Sequence, residues 1–154
     1  MTFKQEFIFS DSAGALKSNP MGSTKLPLLG RDGKAITLPI AVGTGTGASA
    51  TVVHRATEGA LDEVYIWASN YSGGDVDLTL SVGDSSFTAN KTIVSTLTSQ
   101  NGLVLVYPGI PHNNQTTIYA KAPSATAINL FGFVVRYFAI DRQDKDYGFG
   151  RSQI

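Results

Sequence analysis

Cysteine is absent from the 154 residues, which excludes disulfide stapling, thiol nucleophiles and every Cys-based zinc or iron–sulfur site. Charge is scarce as well. Asp, Glu, Lys and Arg make up 16% of the chain, against roughly 25% in soluble domains. The twelve basic residues cancel the twelve acidic ones. So little charge suits a free monomer poorly, and something else is expected to cover the surface. A hidden basic patch is also missing: residues 1–35 carry +2, residues 36–138 carry −2 and residues 139–154 balance. Nucleic-acid binding is therefore not expected. The longest apolar run, residues 128–140, is broken by Asn129 and Arg136 and falls short of the roughly 18 residues of a membrane helix. The N-terminus shows no apolar core of a secretory signal, so an intracellular product is expected. The sequons at Asn70, Asn90 and Asn114 then carry no meaning.

Catalytic frames are equally sparse. Only His54 and His112 could serve as imidazole bases or ligands, and no G-x-S-x-G elbow accompanies them. The GTGTG stretch at 43–47 runs into the β-prone ASATVV and has no Walker lysine, so it reads as a strand connection. Asp62 and Glu63 are adjacent in a strand-like run and point to opposite faces, which prevents simple cooperation. Asp75 and Asp77 share a face that reads as solvated. No catalytic residue, cofactor or metal is expected.

What is present is short runs of Val, Ile, Leu, Thr and aromatics from residue 36 onward, separated by turn residues every eight to twelve positions. This is the texture of an all-β sandwich or barrel. Eight strands are predicted, at 36–42, 50–56, 62–70, 75–83, 91–99, 103–109, 116–122 and 127–138. YSGG at 71–74 is predicted to close a tight hairpin between the third and fourth, with Gly73 and Gly74 at positive φ. Tyr65 and Trp67 give the third strand an aromatic face. The last strand is apolar on both faces, with Ile128, Leu130, Val134 and Phe138 on one and Phe131, Phe133, Val135 and Tyr137 on the other. It must be central or covered by another subunit. Gly132 in its middle marks a bulge or a close approach. Residues 1–35 show no lasting period and read as an extended N-terminal arm, either laid across a neighbouring subunit or disordered. Residues 139–154 form a charged, then aromatic, tail.

The order EVYIWASN, DVDLTLSVGD, GLVLVYPG and IYAKAPSATAINLFGFVVRYF, over residues 60–138, resembles small structural proteins of tailed bacteriophages, of cyanophage type especially. Val64, Trp67, Ala68, Asn70, Leu78, Gly102, Leu103, Leu105, Pro108, Gly109, Ala120, Ala122, Ile128, Asn129, Gly132 and Arg136 carry it. Phe131 and Phe133 around the glycine, and the tail, depart from it. The resemblance implies a virion component assembled in the host bacterial cytoplasm. Its role would be that of a capsid cement or decoration protein binding between major capsid protein subunits. The expected fold is an antiparallel β-sandwich of jelly-roll type, and a homodimer or homotrimer is expected. The expected partner interface comprises Phe3, Phe7, Phe9, Leu26, Leu28, Tyr65, Trp67, Phe131, Phe133, Tyr147 and Phe149. The alternative is a neck, tail or fibre component, with Tyr65, Trp67, Tyr71 and Asp75 or Asp77 as a glycan platform.

Overall fold

The computed structural model describes residues 6–10, 16–125 and 127–139. It is all-β, with ten strands: β1 (Glu6–Ser10), β2 (Leu16–Pro27), β3 (Ile40–Ala41), β4 (Thr51–Arg55), β5 (Ala60–Asn70), β6 (Val76–Val82), β7 (Thr92–Leu97), β8 (Val104–His112), β9 (Thr117–Lys121) and β10 (Ile128–Ala139). They form two antiparallel sheets. The first runs β1-β2-β10-β5-β8, with β3 also against β10, and the second runs β4-β9-β6-β7. Leaving aside β1 and β3, the pairing is nested. β2 pairs with β10, β4 with β9, β5 with β8 and β6 with β7, so the first strand meets the last and the two middle strands meet each other.

Alternation decides which side chains fill the space between the sheets. On β5, Asp62, Val64, Ile66, Ala68 and Asn70 are buried and the residues between them are not. Ile128, Leu130 and Val134 of β10 point the same way, and Leu78, Leu80, Ile118 and Ala120 meet them from the second sheet. β10 is central, as an apolar strand must be: β5 lies along one side, and β2 and β3 share the other. Gly132 is a close approach, since a Cβ there would lie 2.2 Å from the Tyr65 carbonyl oxygen. Substitution would push two paired strands apart.

Three expectations need correcting. YSGG does not close a hairpin, because β5 and β6 lie in different sheets. Both strands bury their apolar faces in the same core, so they pack across it instead of pairing edge to edge. The crossing is held by Asn70, whose Nδ2 donates to the carbonyls of Gly74 (2.8 Å) and Leu97 (2.9 Å) while its Oδ1 accepts from the Ser72 N–H. Neither Gly73 nor Gly74 has a positive φ. The strand predicted at 36–42 shrinks to Ile40–Ala41, after Pro39, which has no N–H to give a ladder. Finally, the body begins before residue 36. β2 pairs with β10 from Met21 to Pro27, and Leu28 and Leu29 enter the core at 0% and 5% exposure. Leu28 is therefore a core residue, unavailable to a partner. Leu26 is half-buried.

The other half of β2 behaves differently. Residues 16–20 pair with β1, and β1 pairs with no other named strand. The β1–β2 hairpin, which carries Phe7 and Phe9, thus continues β2 beyond the point where Ala139 of β10 meets Met21. Phe3, Tyr147, Phe149 and the tail from residue 140 lie outside the described residues.

Candidate functional site

The two sheets present different outer faces. On the first sheet, Glu63, Tyr65 and Trp67 of β5 and Phe131, Phe133, Val135 and Tyr137 of β10 point away from the core and are half-buried by one another. Register sorts them into cross-strand rows. Val135 lies between Lys25 and Glu63, Phe133 lies between Pro27 and Tyr65, and Phe131 is beside Trp67, which is followed by Leu105 of β8. The rings form one cluster. Phe133 stacks on Tyr65 at 5.0 Å between centroids and meets Trp67 tilted at 5.6 Å, and the Lys25 Nζ sits 3.8 Å above the Phe133 centroid. Tyr137 donates its hydroxyl to Glu63 Oε2 at 3.0 Å. Burial, together with that carboxylate, raises the Tyr137 pKa. The Tyr65 ring lies over Gly109, which has φ +71°, and a Cβ there would sit 2.5 Å from the ring.

The apolar surface continues onto the β8 edge. Leu103, Val104, Leu105 and Ile110 are 60%, 38%, 46% and 36% exposed. Such an edge invites pairing with a foreign strand, and here Pro108 and Pro111 remove two of its donors. The second sheet's outer face mixes Asp77, Thr79, Thr96 and Lys121 with Tyr119 and with Val94, which is 59% exposed. Thr96 Oγ1 donates to Asp77 Oδ1 at 2.6 Å. Asp77 and the aromatic cluster are thus on opposite outer faces, so Asp77 does not join Tyr65 and Trp67. Asp75 accepts from the Ser99 N–H at 3.1 Å near the same end of the second sheet.

Both histidines are buried, His54 in a network with Asp62 and Arg136 that spans the sheets and His112 against Tyr107. Asp62 of β5 is wholly buried, and its register partners are Arg136 on β10 and His112 on β8. Arg136 donates through Nε to Asp62 Oδ1 (2.7 Å) and through NH2 to Oδ2 (2.9 Å), a bidentate fork. His54, from β4 of the opposite sheet, lies 2.9 Å from Asp62 Oδ2 through Nε2, and the Thr57 N–H adds a 3.3 Å bond to the same oxygen. The Leu29 N–H donates to His54 Nδ1 at 3.3 Å, which leaves Nε2 as the nitrogen carrying the proton. Burial pushes the Asp62 carboxyl up, but the hydrogen bonds from Arg136 and His54, with the Arg136 charge, outweigh it and hold the pKa at about 2. Tyr107 and His112 join at 2.6 Å; burial lifts the phenol to about 12 and depresses the imidazole. His54 and Asp62 have no exposed atom surface worth the name, and both ring nitrogens of His54 are committed. The arrangement resembles part of a triad, yet it offers a substrate nothing to touch.

Of the residues expected to meet a partner, the structure brings Tyr65, Trp67, Phe131 and Phe133 together on one face and puts Leu28 in the core. Sequence reasoning missed Leu103, Val104, Leu105 and Ile110. Their signal was the run LVLV, which has no polar alternation and therefore reads as a buried strand. Comparison with protein-family models, with curated proteins and with solved structures gives no match.

Proposed function

We propose that this protein is a bacteriophage virion structural protein, a capsid cement or decoration protein built as a jelly-roll sandwich, with no catalytic role. The nested pairing supports the jelly-roll reading: an eight-strand antiparallel ribbon, wrapped so that every connection except β6–β7 changes sheet, is how that fold is wound. The observation that carries the function is the β1–β2 hairpin. Among the described residues, β2 runs on beyond the position where Ala139 of β10 meets Met21, and there β1 is its pairing partner. A two-stranded hairpin is at best marginally stable alone, and on this reading a capsid surface completes it. Shell subunits repeat such a surface by symmetry, and many weak contacts then add up. The resemblance over residues 60–138 points to the same setting.

Electron cryo-microscopy of the virion tests the reading. Copies distributed over the icosahedral shell, with residues 6–20 against capsid subunits, are the expected result. A few copies at the neck, tail or fibre would replace cement with a connector role, and absence from the particle would end the virion reading.

A further inference from the structure

Among the described residues, the outer face of the first sheet is half-buried and mainly apolar, and Lys25 and Glu63 are the two charges on it that can select what covers it. Lys25 and Glu63 are the register neighbours of one residue, Val135, on opposite sides. They sit one strand spacing either side of β10, about 4.8 Å each way. We infer that a second copy of this chain packs on this face, about a two-fold axis running along β10. The charges select that axis. Rotation about a line parallel to β10 carries Lys25 of one copy over Glu63 of the other, and the reverse pair follows by symmetry. Rotation about a line perpendicular to the strands through the Val135 row would set Lys25 on Lys25 and Glu63 on Glu63, which like-charge repulsion penalises, and a line through another row would leave both charges without an opposite partner. Under the favoured axis Phe133 meets its own copy, and Pro27 meets Tyr65.

The size fits an exchangeable dimer. With strands about 4.8 Å apart and about 3.3 Å per residue, the overlap of β10 with its copy and of Met21–Pro27 with β5 of the other copy projects about 400 Å². That is below the roughly 600 Å² per partner of stable specific interfaces and in the range of weak, transient ones. Association in the micromolar range is expected, with an aromatic centre and a polar pair at its side. The inference does not depend on the virion reading, and a dimer in solution would leave that reading untouched.

Sedimentation velocity and light scattering of the full chain provide the test. The expected species at about 100 µM is a dimer, with dissociation on dilution through the micromolar range. Lys25→Glu or Glu63→Lys alone should weaken the dimer at least tenfold, and the double exchange should restore it. Tyr137→Phe removes the hydroxyl bond to Glu63 without changing charge and should leave association intact. Because the chain has no cysteine, Val135→Cys is a clean probe: a short bismaleimide should link two copies through it, while Thr79→Cys on the second sheet's outer face should not link. Circular dichroism and a thermal melt confirm that each variant is folded. A monomer at all concentrations, a trimer, or a double exchange no better than the worse single variant would each overturn the proposal.

Discussion

Removing the Asp62 carboxylate should cost this protein a large part of its stability, because four donors converge on that one buried group. In Asp62→Ala, Arg136 keeps its positive charge with its side chain only 17% exposed and no anion beside it. His54 Nε2 and the Thr57 N–H lose their acceptor in the same step. Breaking one side of a buried ion pair costs about 3–5 kcal/mol, out of the roughly 5–15 kcal/mol that holds a domain folded. Urea unfolding near neutral pH should show that loss. A second signature lies on the acid limb. Above its ordinary value of 3.8 the carboxyl is ionised in both states; between there and about 2 the unfolded chain takes up a proton that the folded chain refuses. Stability therefore falls as pH falls through that window, by roughly 2 kcal/mol. Asp62→Ala should lack this component. A cost below about 1 kcal/mol, or an acid limb of unchanged steepness in the variant, would refute the idea that the network holds the two sheets together.

Three further outcomes are expected. His112 is buried against Tyr107 with its pKa depressed, so acidification from about pH 7 to about pH 5 should cost stability as the unfolded chain protonates first; His112→Gln, which still accepts from the phenol, should flatten that slope in urea midpoints. Gly132→Ala drives a methyl into the Tyr65 carbonyl and should destabilise by about 1–3 kcal/mol or more, whereas Gly74→Ala, with open space around it, should shift a thermal melt little. Deleting residues 1–20 should leave the melt nearly unchanged, because Met21–Pro27 keep their ladder; deleting residues 1–29 also removes the buried Leu28 and Leu29, each worth about 2–5 kcal/mol, and should prevent folding.

The strand positions were legible because period-two alternation and turn residues are local signals. Pairing was not. β5 breaks the tempting rule that neighbours in sequence pair, since its partners are β8 and β10, far downstream. β2 left no trace: LKSNPMGSTKLP has no period, and the exposed side of β10 imposes the strand on it. The aromatic face was readable from β5 and β10 separately, and only register shows that Phe133 lies against Tyr65. The interior network could have been half seen. Asp62 is in phase with Val64 and Ile66, and Arg136 with Val134, so both sit where their strands face inward. His54 gave no such sign, because the register shift between Val52 and His54 breaks the alternation of β4.

A pair formed along β10 would change what the N-terminal hairpins can do. A two-fold axis parallel to the strands preserves strand direction, so both copies send β2 out past Met21 at the same end of the dimer. Two hairpins side by side can engage two sites of a repeating shell, and the second engagement is intramolecular, which raises avidity by about 10²–10⁴ without any new contact. Lys25→Glu leaves each hairpin untouched and splits the pair, so it separates the two effects. On isolated capsids it should weaken binding by about 10²-fold or more, and the Lys25→Glu/Glu63→Lys exchange should recover it. Equal capsid affinity for Lys25→Glu and the parent chain would mean that each copy grips alone, and that pairing through the aromatic face contributes nothing to attachment.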